Sequence, residues 1–261
     1  VNALIAKAWA EIFQSGRRGR DALEQAHKLL AAARERDPEN LQVQLGIGAY
    51  HVNMAVQLYS SDGADHLAKG EGLLRSVMER QPTIPAAHYF MGMSHVARNQ
   101  LSQAKAAFER AIELNPSHAP SYAQLGRVLV RLGLPKQGLE HVLYALRLSP
   151  RDPGLAIWTA FAGFAELELK RFDKALAHFE RALSLYPGQP RTVLCVVAPH
   201  ALLGDMDEAK RHLERLQRTL PHLTREVLAE RFGKEHPDSQ YRKGLQLVLT
   251  SLPEDLAVVK N

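Results

Sequence analysis

Residues 104–116 read AKAAFERAIELNP, and the same grammar returns at 138–150 as GLEHVLYALRLSP and at 175–187 as ALAHFERALSLYP. Each copy opens on a small residue, places a large apolar one four positions later, an alanine three after that, and closes on proline. Working outward, the closing prolines are Pro38, Pro82, Pro116, Pro150, Pro187 and Pro221, spaced by 44, 34, 34, 37 and 34 residues. A sustained period of this length marks a supersecondary unit whose copies bury one another's apolar faces. The proline stops the last helix of each unit, because it has no amide hydrogen to donate and restricts the residue before it.

A 34-residue period with this pattern resembles the tetratricopeptide repeat, a helix-turn-helix unit. Gly92, Ala104, Phe108, Ala111 and Pro116 occupy the motif places in the third copy; Gly126, Gly138, Val142, Ala145 and Pro150 in the fourth; and Gly163, Ala175, Phe179, Ala182 and Pro187 in the fifth. The resemblance implies an all-α fold, a right-handed superhelix (α-solenoid) of about six helix-turn-helix repeats over residues 1–223, with the first helices lining the concave side. Small residues on both helices of a pair let the backbones approach, and Phe108 or Phe179 is expected to fill the space toward the next unit.

The flanking copies are less regular. The second keeps Gly48, Gly70, Leu74 and Val77 but has ten extra residues, placed at QLYSSDGADH between its helices; the first keeps Ala26, Leu30, Ala33 and Pro38, and the register of its first helix is not fixed. The sixth keeps Ala209 and Leu213 but has Val197 and Leu216 where small residues are expected, and Pro199 inside its first helix predicts a kink. Beyond Pro221 the period ends. Residues 224–261 are expected to form two capping helices, TREVLAERF and SQYRKGLQLVLTSL, with Tyr241, Leu245, Val248 and Leu252 on one face of the latter. They either cover the last apolar surface of the stack or fold back into the groove as an internal ligand.

Carrying the register through, the groove-facing positions are Asn53, Tyr89, Met93, Arg127, Val130, Arg131, Ile157, Phe164 and Leu167. An apolar groove with two arginines four apart on one helix suits an amphipathic helix or extended peptide with an acidic anchor. The lysine and asparagine pair with which some repeats of this type grip a terminal carboxylate is missing at the matching places.

Composition narrows the chemistry. Lys plus Arg number 33 against 28 Asp plus Glu, with a formal net charge of +5 and the signs interspersed, so neither a nucleic-acid stripe nor a membrane-binding arm is expected. The cluster RRGR at 17–20 is read as a solvated loop. One cysteine, Cys195, cannot form an intrachain disulfide, which favours a reducing, cytoplasmic compartment and an inert buried thiol. The most apolar stretches, IWTAFAGFAELEL and TVLCVVAPHALL, are too short to cross a bilayer. The chain opens on Val1 and is read as a piece of a longer polypeptide. It holds no Gly-rich phosphate loop, His-Glu-x-x-His, cysteine pair or Gly-x-Ser-x-Gly elbow, so no catalytic, metal or cofactor residues are assigned. His51, His95 and His200 stand where a tyrosine is common and His88 where tryptophan is, so all four are expected to line the core, with a pH switch through His88 and His95 as the sharper alternative. In DGADH, 62–66, Asp62 is read as a helix N-cap and not as a metal ligand.

The layout is also similar to a narrower group, the C-terminal repeat region of bacterial class III adenylate/guanylate cyclases and related winged-helix transcriptional regulators. The matching stretches are LEQAHKLLAAARERDPEN, the long second unit before LAKGEGLLRSVMERQP, LRLSPRDPGLAIW with its three-residue spacer, and the ending HLTREVLAERFGKEHPDSQYRKGLQLVLTSLPED. That resemblance implies a non-catalytic module that binds a protein or peptide partner and regulates a neighbouring signalling domain. The alternatives are self-association as a homodimer and a small-molecule sensor with a pocket near Trp158, Phe161 and Phe164.

Overall fold

Four residues with left-handed backbone set the rhythm of the structure, a computed structural model that describes residues 1–57, 62–186, 190–219 and 239–251. Asn99, Gly133, Lys170 and Gly204, at φ 59°, 79°, 59° and 86°, recur at the spacing of the prolines. Each ends the first helix of a pair. The following amide donates five residues back, from Gln100 to His95, Leu134 to Leu129, Arg171 to Glu166 and Asp205 to His200, at 2.8, 2.9, 2.9 and 2.9 Å. This is the Schellman arrangement, which satisfies carbonyls a helix end would otherwise leave open.

Thirteen helices and no strands are found among the described residues: α1 (Asn2–Arg18), α2 (Arg20–Arg36), α3 (Leu41–Val56), α4 (Gly63–Arg80), α5 (Pro85–Ala97), α6 (Leu101–Leu114), α7 (Ala119–Arg131), α8 (Pro135–Leu148), α9 (Leu155–Glu168), α10 (Phe172–Leu185), α11 (Pro190–Leu202), α12 (Met206–Thr219) and α13 (Gln240–Ser251). Pro38, Pro82, Pro116 and Pro150 each stand two residues past a second helix, as their stop role requires. Pro187, Pro221, the 223/224 boundary, the first expected capping helix and Leu252 lie outside the described residues.

The chain divides into two compact units, residues 1–128 with 151–154, and residues 129–150 with those from 155 onward. In the first, α3 packs on α2 and α1, and α5 packs on α4 and α3. In the second, α9 packs on α8, and α11 on α10 and α9. Each pair therefore covers the apolar face of its predecessor within its unit.

The helix pairs close on glycine. A Cβ on Gly92 of α5 would come within 2.7 Å of the Phe108 ring of α6, and one on Gly163 of α9 within 2.6 Å of the Phe179 ring of α10. Leu74 takes the ring's place on Gly48, where an added Cβ would meet it at 3.1 Å, and a Cβ on Gly70 would come within 3.1 Å of the Gly48 carbonyl oxygen. The phenylalanines thus fill the glycine notch of their own pair, which corrects the expectation that they reach for the next unit. Leu30 alone among these shows the expected reach, pressing on Gly46 of the following pair. Phe108, Phe179, Leu74 and Leu30 are all fully buried, as are Ala104, Ala111, Ala175 and Ala182.

Three further expectations change. Within the stretch QLYSSDGADH residues 58–61 lie outside the described residues and 63–66 belong to α4, and the two helices around it are longer, α3 and α4 running to 16 and 18 residues where α5 and α6 have 13 and 14. RRGR is no loop: α1 runs to Arg18, Gly19 (φ 72°) is the joint, and α2 begins at Arg20. Arg18 pairs with Glu11 and Arg20 with Glu24 along their own helices. The register of α1 is fixed by Ile5, Ala8, Ile12 and Ser15, which it buries. The α4–α5 contact also carries a polar lock, where buried Glu71 accepts from Ser94 Oγ at 2.5 Å and Arg98 Nε at 2.6 Å.

Glycine substitutions separate propensity from packing. A Cβ added to Gly72 of α4 would meet nothing within 4 Å, so Gly72→Ala is expected to stabilise by about 0.5–1 kcal/mol through helix propensity. Gly163→Ala gains the same propensity but drives a methyl into Phe179, and urea denaturation should show a net loss of about 1–3 kcal/mol. Lys170→Gly relieves a left-handed lysine and should gain about 0.5–1 kcal/mol, more than Asn99→Gly, since asparagine tolerates that conformation.

Candidate functional site

In the first unit, the face of the odd-numbered helices is partly polar and partly aromatic. Asn53 on α3 donates to the Ala49 carbonyl at 2.9 Å and accepts from Gln57 Nε2 at 3.3 Å; the same amide of Gln57 lies 3.2 Å from Ser15 Oγ on α1. Tyr89 on α5 is wedged among Phe90, Phe108 and His118, at ring distances of 5.0, 5.9 and 5.1 Å. Burial pushes its hydroxyl pKa up, and a hydrogen bond from Gln124 only partly opposes this. Met93 belongs to the core, which removes it from the candidate surface. Arg127, on α7, is partly exposed.

Two residues of this face lie beyond the expected set. Trp9 on α1 reaches Phe90 on α5, with ring centroids 5.9 Å apart, and stands 5.9 Å from Phe13. Phe13 is 57% exposed, the most of any large apolar side chain on the described surface. The sequence signal for this pair is weak, because the first copy has no glycine at the motif place to fix its register.

In the second unit the corresponding face is covered by the chain itself. Val130 and Arg131 at the end of α7 and Ile157 on α9 are partly exposed, whereas Leu167 is fully buried and joins the core. Phe164 sits between Phe179, at 5.0 Å, and Tyr241 of α13, at 5.2 Å. Ser239 Oγ caps the first turn of α13 by accepting from the Arg242 amide at 3.2 Å, and three further contacts seat the helix. The Gln240 amide donates to Glu168 Oε1 at 2.9 Å. The Tyr241 hydroxyl donates to the Leu194 carbonyl of α11 at 3.3 Å. Gly244 crosses α11 so closely that a Cβ there would collide with the Ala198 carbonyl. Tyr241, Leu245, Val248 and Leu249 are buried beneath α13. Trp158 and Phe161, the other rings of the expected sensor pocket, are buried at 4% and 7% exposure.

Residues 85–118 and 161–189 match the family model described as tetratricopeptide repeat. A 148-residue stretch, 57% of this chain, is 25% identical to anaphase-promoting complex subunit 3 of Schizosaccharomyces pombe; it spans 22% of that protein, so the chain corresponds to about a fifth of the curated relative's length. Among solved structures, a thermophilic TPR protein of Thermus thermophilus superposes with a TM-score of 0.55 at 17% identity, covering 72% of this chain and 96% of that one. The pilF protein of Pseudomonas aeruginosa superposes with a TM-score of 0.56 at 16% identity, covering 94% and 98%. The two matched stretches are thus similar to the tetratricopeptide repeat, and the superpositions show a helical repeat fold.

The histidines fall into place less uniformly than expected. His200 is buried, 3.3 Å from Asp205, but His88 and His95 are partly exposed and bond to the Pro82 carbonyl and Gln100 Oε1, each at 2.8 Å. The denser cluster is elsewhere. The Nδ1 atoms of His51 on α3 and His66 on α4 lie 2.9 Å apart, within hydrogen-bond distance, and His27 of α2 stacks on Tyr50 at 4.4 Å with its own Nδ1 buried and unbonded. Glu24 and Arg20 face this cluster from α2, and Lys69, paired with Asp65 at 2.7 Å, from α4. Asp62 stands at the N-cap of α4. Among the described residues no three His, Cys, Asp or Glu side chains converge as a metal site requires.

Burial, then the neighbouring His66, His27 and Lys69, pushes His51 from 6.5 to about 4, and burial does the same to His118. Both are held neutral in the fold, while the unfolded chain binds their protons near 6.5, so the unfolded state gains protons first as pH falls. Stability is expected to decline from about pH 6.5 toward about pH 4, read as a falling thermal midpoint. A His51→Gln, His118→Gln double variant should flatten that decline; an unchanged slope would contradict the assignment.

Proposed function

We propose that the chain is a non-catalytic interaction module that holds a protein or peptide segment against the face of its odd-numbered helices. The observation that carries this reading is α13, a helix lying on that face of the second unit through Phe164, Glu168, Leu194 and Ala198. A surface that accepts one amphipathic helix has the shape, apolar area and end-group chemistry to accept another. In the first unit the same face offers Trp9 and the exposed Phe13, aromatic anchors of the type that dominates binding energy, beside the polar groups of Asn53 and Gln57. The curated relative in Schizosaccharomyces pombe is by name a subunit of a larger complex, which accords with an assembly role.

The finer reading makes this module the regulatory part of a larger cytoplasmic signalling protein, such as a bacterial nucleotidyl cyclase or winged-helix regulator, with the arginines of α7 meeting an acidic anchor. Its support is the similarity of layout in the sequence; the relatives reported above carry neither name. No helix among the described residues is long and apolar enough to cross a membrane. Small-molecule sensing loses its pocket, since Trp158 and Phe161 are buried and Phe164 is held between two rings.

Partner capture from a lysate of the source cell tests the reading. Phe13→Asp is expected to lose captured proteins by about tenfold or more (on the order of 1.4 kcal/mol or above) with an unchanged unfolding midpoint. Arg127→Glu with Arg131→Glu should remove acidic partners selectively. The same proteins captured by all variants would contradict it.

A further inference from the structure

The position of α13 departs from the stacking rule of the rest of the chain. A first helix that continues the stack packs substantially on the second helix of the preceding pair: α3 lies on α2 as well as α1, α5 on α4 as much as on α3, and α11 more on α10 than on α9. By contrast α13 lies chiefly on α11, reaches back to α9, and meets α12 only at its margin. It is therefore laid along the odd-helix face and does not take the place that a seventh first helix would occupy.

Its contacts are those of a ligand. The end of α13 is received by a carboxylate, Glu168 Oε1, which accepts the Gln240 amide and so neutralises part of the positive end of a helix dipole. Its flank presents Tyr241, Leu245, Val248 and Leu249 at helical spacing, and its glycine is the crossing point over Ala198. The outer side is polar apart from Leu247, which is 48% exposed. Twelve residues make a helix that is marginal on its own in water, so its order depends on the seat.

We infer that α13 is a resident, displaceable ligand of the α9–α11 face, and that this face is built for an amphipathic helix with a small residue at its crossing point and a free amino end of the helix against Glu168. This deepens the interaction reading and rests on it: the second unit is closed by its own tail until a competing helix of the same chemistry takes the seat, whereas the first unit keeps Phe13 exposed throughout. A tethered occupant holds the seat at high effective concentration, so an added helix binds weakly until the tether is loosened.

The test uses the full chain and a labelled synthetic peptide of residues 239–251. Gly244→Val places a branched side chain against the Ala198 carbonyl, which unseats α13 in cis. The peptide is expected to bind this variant at least about tenfold more tightly than the unaltered chain, since the competent fraction rises. Glu168→Gln should weaken peptide binding to the Gly244→Val chain. Equal binding to both chains, or to neither, would overturn the inference. Hydrogen exchange on the unaltered chain guards against a variant that misfolds. Amides of 240–251 should exchange at least about tenfold faster than those of α9 and α10, through an opening that leaves those helices protected. Exchange of α13 together with α9 and α10 in one step makes it integral core and sinks the proposal. The Phe13→Asp capture experiment is independent of every one of these readouts: capture that does not depend on Phe13 would count against the module, whereas Phe13-dependent capture alongside a failed peptide test would leave only the resident helix refuted.

Discussion

The structure depends on a side chain seated in a notch. In three helix pairs the second helix puts a large apolar group, Leu74, Phe108 or Phe179, on a residue of the first helix that has no Cβ, Gly48, Gly92 or Gly163. The notch fixes both the distance between the helices and their register, because a ring sunk to where a Cβ would stand cannot slide along the helix without striking a neighbour. Everything outward of that contact follows. The seated group is fully buried, it is flanked one turn away by buried alanines in α6 and α10 and by Gly70 and Val77 in α4, and the opposite face of the first helix is left to meet something else.

That leftover face is the surface proposed to hold a partner, and the two units present it in different conditions. The first unit leaves Phe13 in solvent beside Trp9, with Asn53 and Gln57 linked to each other and to Ser15. The second unit has Phe164 and Glu168 engaged by the chain's own last described helix. A ring and a carboxylate are the two kinds of group an amphipathic helix needs from its receptor, one for its apolar flank and one for its amino end. His51 and His118 titrate unusually because burial keeps them neutral, and the ring of His118 packs against Tyr89 of the first unit's face.

The sequence carried the repeat because period and residue size are local properties. Pro116 and Pro150 mark helix ends, and Gly92, Phe108 and Ala111 mark the notch, wherever the rest of the chain goes. What is not legible has a physical reason in each case. The left-handed turn is written once as asparagine, twice as glycine and once as lysine, so composition hides a conformation that the backbone repeats faithfully. The first helix has no glycine at the motif place to announce its register, so nothing local singles out Trp9 and Phe13. Met93 and Leu167 fall at face-lining positions by spacing, yet the helices around them are close enough to bury both. The seat of α13 joins Gln240 to Glu168 across 72 residues, a pairing that no local pattern encodes.

The notch itself is tested most directly by a double-mutant cycle between Gly163 and Phe179, followed by urea denaturation. With the ring present, Gly163→Ala is destabilising; with Phe179→Ala the obstruction is gone and the same change should become neutral or stabilising, giving a coupling on the order of 1–3 kcal/mol. Additive effects, with Gly163→Ala costing the same in both backgrounds, would contradict the account.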